Sequence, residues 1–379
     1  MPKRRILFEA GPMLDNQKTG VGYYVARLTE SLQAAHADEL ELTGYYFNFL
    51  NRRGDKVPAG SRLKFHKIWL VPGKLLAVCR RLGFQPWLEL FVRPRADVVF
   101  FTNYVSLPQL RRRKTALAIY DLSFLDAPEF AQERNLKYLK RFCPPSIRSA
   151  DVIITISEFT RSRLEYHFPD LKADIVVTLI PPAEEAIPKT ELSQTLLDKG
   201  VKDGSYLLYV GTIEPRKNLE KLVEAYGLLD QSLRDKFALV LAGGKGWKDE
   251  GILTAVAKGQ AKGQKIILTG YVSDAEKDAL YQHAACFVLP SHYEGFGMPV
   301  LEAMRQGAPT ALSDIPVFHE VAGTASVYFD KDDAADMAQK LASVLEDESL
   351  RKSLSEKGEA RLKVFSWQEN AAKVYQALE

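Results

Sequence analysis

A chain of 379 residues and 42.6 kDa exceeds what one hydrophobic core ordinarily organises, so two domains of common size are expected. With 46% hydrophobic and 26% charged residues it has the apolar content for both cores, which excludes a disordered chain. A net charge of +3 and a pI near 8.5 give no ground for nucleic-acid binding.

Cys79, Cys143 and Cys286 are odd in number and far apart, which fits neither a disulfide framework nor a zinc ligand set and points to a reducing cytoplasm. No apolar run approaches the roughly 18 residues needed to span a bilayer. The start, "MPKRRILFEAGPML", imitates a signal peptide in its basic opening, but Glu9 and Pro12 interrupt the apolar segment. "RILFEA" (5–10) reads better as a first strand.

After it comes "KTGVGYYVARLTESL" (18–32), in which Gly20 and Gly22 precede a helix striped by Val21, Val25, Leu28 and Leu32. These glycines either let backbone amides approach a phosphate or form a simple turn; the dinucleotide fingerprint is absent, because its third glycine is missing. Strands follow at "LTGYYF" (42–47), "DVVFFTN" (97–103), "TALAIYD" (115–121), "DVIITIS" (151–157) and "DIVVTLI" (174–180). Between them, 67–92 is apolar and aromatic with interspersed arginines, which fits a buried helix pair or an exposed amphipathic surface resting on a bilayer. Basic clusters at Arg52 and Arg53, Arg80 and Arg81, and Arg111 to Lys114 form a solvated rim or a face for anionic lipid or a phosphate-bearing acceptor.

The segment "IPPAEEAIPK" reads as a linker, after which the series restarts. Its strands are "SYLLYVG" (205–211), "FALVLAG" (237–243), "KIILTGY" (265–271), "CFVLPS" (286–291), "PTALSD" (309–314) and "SVYFD" (326–330). Strands alternating with amphipathic helices predict an α/β protein with two doubly wound parallel sheets. The expected limits are 1–185 for the first domain, 200–362 for the second and 363–379 for a terminal helix. Ligands of such sheets sit beyond the carboxyl ends of the strands.

Two stretches at strand ends carry unusual chemistry. In "GTIEPRKNLEKLVEAY" (211–226), Arg216 and Lys217 stand where a helix opens, although the helix dipole disfavours cations there by up to about 1 kcal/mol each. An anion such as a diphosphate would compensate them, with Arg216 as a planar fork and Lys217 as a point charge; solvated surface cations are the plainer alternative. In "SHYEGFGMPVLEAM" (291–304), Gly295 and Gly297 free the backbone after Glu294, Pro299 opens a helix that Gly307 stops, and Glu302 falls early in it. Two carboxylates near each other suit the vicinal hydroxyls of a nucleotide sugar, whereas helix capping explains Glu302 only in part. Asp330 and Asp332 form an Asp-x-Asp match but end a strand before a helix, so an N-cap is expected there and no metal site.

Two glutamates with seven residues and two glycines between them resemble the signature of the retaining family 4 glycosyltransferases, and "GTIEPRKN", "GYVSDAEKDALYQHA" and "FSWQENAAKVYQAL" are similar to that family as well. The resemblance implies two Rossmann-like domains facing across a cleft, the GT-B fold, with the last helix crossing back to the first domain. It also implies that Glu302 binds ribose hydroxyls and that Glu294 binds the sugar near its anomeric centre. Arg216 and Lys217 would hold the diphosphate with help from the amides of Gly20 and Gly22, and the backbone at Tyr271 and Val272 would meet the base. Gly211, Gly295, Phe296 and Gly297 would line the path. Many relatives carry a histidine before aspartate where this chain has Tyr120 and Asp121, and several place an arginine where it has Thr212.

The implied reaction is metal-independent, cofactor-free front-face transfer of a hexose with retention. "GTIEPRKN" is most similar to bacterial surface-polysaccharide mannosyltransferases, which suggests GDP-mannose as donor, a UDP-sugar as the second choice, and a saccharide or lipid-linked saccharide as acceptor at the inner membrane face. The alternatives are a non-catalytic module that binds nucleotide sugar or polysaccharide, and an epimerase or hydrolase on the same fold.

Overall fold

The computed structural model describes residues 3–15, 20–49, 57, 61, 63–69, 78–79, 82–92, 95–182, 188 and 190–379. Arg52, Arg53, Arg80, Arg81, residues 18–19, 70–77 of the apolar stretch and most of the linker lie outside the described residues. The chain forms two compact units, one comprising Met1–Ile180 with Ser366–Glu379 and the other Pro181–Phe365.

The first unit is built on seven parallel strands: β1 (Arg4–Glu9), β2 (Leu40–Phe47), β3 (Lys64–Ile68), β4 (Val98–Phe101), β5 (Lys114–Ile119), β6 (Val152–Thr155) and β7 (Asp174–Val177), in the spatial order β3-β2-β1-β4-β5-β6-β7. β4 and β6 are buried at every position, as parallel strands covered on both faces must be. β3 is the strand that sequence pattern misses: "KFHKI" is mostly polar, and it forms because it lies at the sheet edge, where alternate residues face solvent.

The second sheet contains β8 (Tyr206–Val210), β9 (Ala238–Ala242), β10 (Ile266–Gly270), β11 (Cys286–Leu289), β12 (Thr310–Ser313) and β13 (Ser326–Phe329), all parallel, in the order β10-β9-β8-β11-β12-β13. Renumbered from β8, this is the Rossmann order 3-2-1-4-5-6. Its reversal of direction falls between β8 and β11, and that of the first sheet between β1 and β4. The strands that sequence pattern predicts are all present, most of them trimmed by one to three residues where the flanking residues turn into the loops, whereas β1, β2 and β5 begin one or two residues earlier than predicted.

Ser366 opens the last helix, Trp367–Leu378, by accepting a hydrogen bond from Glu369 N. In the first unit this helix packs on Gly20–Ala35: Trp367 lies 6.0 Å from the ring of Tyr24, Tyr375 stacks on His36 at 3.8 Å, and Asn370 Nδ2 donates to Leu179 O at 2.7 Å. Tyr24 is itself fixed by Thr178 through a hydroxyl pair at 2.5 Å. The terminal helix is thus part of the first core, although it follows the whole second unit in sequence.

Trp367 is 3% exposed, so Trp367→Ala should cost about 3 kcal/mol or more and lower the urea midpoint of the first unit. Far-UV circular dichroism with increasing urea checks this; an unchanged midpoint would mean that the helix adds nothing to that core.

Candidate active site

Arg216 and Lys217 follow β8, and Glu294 follows β11, so the Rossmann reversal brings them together from stretches 77 residues apart. Pro215, Arg216 and Lys217 form a single 3-10 turn, and Asn218, with φ of 56°, ends it and begins the helix Leu219–Leu228. The two cations therefore stand where that helix opens, in a separate turn directly before it.

Their compensation is also internal. Lys217 Nζ donates to Glu294 Oε1 at 2.5 Å, and Arg216 donates to Glu294 Oε2 at 2.6 Å, to Glu214 Oε1 at 2.6 Å and to Tyr293 O at 2.8 Å. Ser291 Oγ completes the set by donating to Glu294 Oε1 at 2.8 Å. Within the chain, the carboxylates of Glu214 and Glu294 balance the pair.

Glu294 is 7% exposed. Burial opposes its ionisation, but Arg216 and Lys217 outweigh that and hold the carboxyl at about 2, below an ordinary 4.5. Burial draws Lys217 below the ordinary lysine range, with Glu294 opposing. A carboxylate this acidic, with both oxygens accepting charged hydrogen bonds, is a weak base and a weak nucleophile.

Glu302 lies on the helix Met298–Arg305 in a different network from Glu294. It accepts from Lys277 Nζ at 3.2 Å and from Tyr281 Oη at 3.1 Å. Lys277 and Tyr281 stand four residues apart on the helix Asp274–Gln282 and so share a face. Burial disfavours the Lys277 cation, but Glu302 outweighs it and raises its pKa; burial and then Glu302 push Tyr281 well above the ordinary tyrosine value. Tyr271 leaves β10 at 81% exposure, and Val272 is half-buried beside it.

Gly297 holds φ of 101° before the helix, and Phe296 is buried edge-on against Phe365 at 6.1 Å. Gly295 is half-buried, and Thr212 is exposed with its carbonyl accepting from Tyr209 Oη at 2.8 Å. Gly211 ends β8. The cap after β13 is Asp333, which accepts from Ala335 N and Asp336 N, and not Asp330 or Asp332. Asp332 instead pairs with Lys331.

In the first unit, Gly20 starts its helix and Gly22 is already the third residue in it. A Cβ at Gly22 would collide with the carbonyl of Pro12, so close packing requires glycine there, while its amide stands in the first helical turn. Tyr120 is 5% exposed, and its hydroxyl donates to Thr102 O at 2.7 Å, so the side chain points into the core and does not take the place of an imidazole. Asp121 accepts from Tyr104 Oη at 2.7 Å and from Ser123 N at 2.9 Å.

Glu214, Ser291, Lys277 and Tyr281 were not singled out in the sequence, although the four-residue spacing of the last two was readable. Glu214 lies inside the quoted motif, but only its contact with Arg216 gives it a role.

A family model described as "Glycosyl transferases group 1" matches residues 198–361. The O-antigen chain mannosyltransferase B of Escherichia coli is 32% identical, with 96% of each chain covered. The serotype-specific mannosyltransferase WbdA of Escherichia coli is 31% identical over 68% of this chain, which spans 32% of that longer protein. Sucrose-phosphate synthase from Thermosynechococcus elongatus superposes with a TM-score of 0.74 at 17% identity, covering 99% of this chain and 98% of that one. WaaG, a glycosyltransferase involved in lipopolysaccharide biosynthesis, superposes with a TM-score of 0.67 at 15% identity, covering 98% of both. The chain therefore belongs to the group 1 glycosyl transferases and is a glycosyltransferase of the GT-B fold.

Proposed function

We propose that the protein transfers mannose from GDP-mannose to a saccharide or lipid-linked saccharide during surface-polysaccharide synthesis, with retention and without a metal or other cofactor. A UDP-sugar is the second choice of donor. The observation that carries the reading is the buried Arg216–Glu294–Lys217 cluster at the β8/β11 reversal, supported by likeness to proteins named as mannosyltransferases.

Arg216 and Lys217 hold the donor diphosphate and stabilise the charge that develops on it as the glycosidic bond breaks. This is the work a divalent cation would otherwise do. Glu294, held as a carboxylate by Arg216 and Lys217, orients the sugar hydroxyls with its remaining acceptor capacity and supports developing positive charge at the anomeric carbon. The departing phosphate, not Glu294, takes the proton of the acceptor hydroxyl. Glu302 holds the ribose, with Lys277 and Tyr281 fixing its orientation. Tyr271 and Val272 meet the base.

The acceptor reading includes peripheral contact with an anionic bilayer at the cytoplasmic face. Its support is a run of exposed large apolar residues in the first unit, Trp69, Leu82, Phe84, Trp87 and Leu90, and, beyond them, Leu110 next to Arg111 and Arg112.

The roles separate kinetically. Glu302→Ala should raise donor KM about tenfold with kcat little changed, whereas Lys217→Ala should lower kcat by at least about a hundredfold. Equal losses in both parameters for both variants would contradict the assignment. Glu294 has a depressed pKa, so its share of stability is present above about 4.5 and is lost as pH falls through about 2. The pH profile of transfer should therefore show no Glu294 limb above pH 4.5, and an acid limb there that disappears in Glu294→Gln would contradict the charge state. The protein should also co-sediment with phosphatidylglycerol vesicles but not with phosphatidylcholine vesicles, and less so in high salt or as Trp87→Ser. Equal sedimentation with both lipids would remove the bilayer contact.

A further inference from the structure

Charge at the strand ends carries an inference about a residue that the motifs do not include. Arg216 and Lys217 are already matched by Glu214 and Glu294, so the cluster presents no surplus positive charge to an arriving phosphate. The loop that leaves β9, Gly243-Gly244-Lys245-Gly246-Trp247-Lys248, adds cations beside it. It is fixed against the β8 exit: Ile213 N donates to Gly244 O at 3.0 Å, Gly246 N donates to Ile213 O at 3.0 Å, and Ile213 and Lys245 form a parallel bridge. Farther back, Gly211 N donates to Ala242 O and Gly243 N to Gly270 O, each at 2.9 Å, so the exits of β8, β9 and β10 are laced together.

This closeness depends on glycine. A Cβ at Gly243 would collide with Gly211 O, and one at Gly246 would lie 2.5 Å from Ile213 O. Lys248 holds φ of 53°, an uncommon conformation for a residue with a side chain. The backbone that carries Lys245 is therefore held against the segment leading into Arg216 and Lys217. The Lys245 side chain is exposed and has no carboxylate at ion-pair distance among the described residues.

We infer that Lys245 is a phosphate-binding residue, supplying the positive charge that the balanced glutamate–cation cluster lacks. This rests on the proposed nucleotide-sugar reading for its setting. The phosphate oxygens could belong to the donor diphosphate or to a lipid diphosphate on the acceptor, and the chemistry at Lys245 is the same for both.

Isothermal titration of the full-length wild type, Lys245→Gln and Lys245→Arg with GDP, UDP and farnesyl diphosphate decides the matter. Lys245→Gln, on an exposed side chain, should weaken a diphosphate ligand about tenfold, and Lys245→Arg should restore most of the affinity. Weakening with GDP or UDP assigns the donor; weakening confined to farnesyl diphosphate assigns the acceptor. Unchanged affinity for all three would overturn the inference. A wild type that binds neither GDP nor UDP would instead defeat the nucleotide-sugar reading, and the farnesyl diphosphate arm would still decide Lys245.

Discussion

The second unit is organised around one buried carboxylate that must stay charged. Glu294 is nearly inaccessible to solvent, and leaving such a charge unpaired would cost several kcal/mol, so its environment has to supply cations and donors. Arg216, Lys217 and Ser291 do so, and Glu214 balances the arginine in turn. Removing Glu294 would leave Lys217, itself buried, without its carboxylate. That constraint accounts for the 3-10 turn after β8, which places two consecutive cations on one acid, and for Ser291, which ends the approach from β11.

The sheet makes the cluster possible. A parallel strand order that reverses between β8 and β11 sets two loops side by side at the carboxyl edge, where backbone groups are no longer used by the ladder. The strands β8, β9 and β11 are buried at every position, so their polar chemistry is pushed to that edge. Function and stability are thus separated along each strand: its middle builds the core and its end builds the site.

Much of this was legible in the sequence. The strands announced themselves as short apolar runs because a sheet covered on both faces needs no polar alternation. β3 did not, since an edge strand with a polar face carries no such run. Arg216, Lys217, Glu294 and Glu302 were legible from their odd placement next to glycine and proline. What their neighbours do was not: a charge pattern along the chain cannot reveal that Lys217 is neutralised by a glutamate 77 residues later, nor that Glu302 answers to Lys277 instead. Gly22 has a packing reason that the sequence cannot show, because Pro12 lies against it only in the folded chain. Tyr120 likewise shows its buried hydroxyl only in three dimensions.

The central claim is that Glu294 works as a held charge and never as a nucleophile. Mass spectrometry of the intact protein, and of the peptide containing Glu294, after incubation with a 2-fluoro analogue of the nucleotide sugar tests it most directly. The account predicts unmodified protein at every time point while the natural donor is turned over with retention. A sugar covalently attached to Glu294 would contradict it.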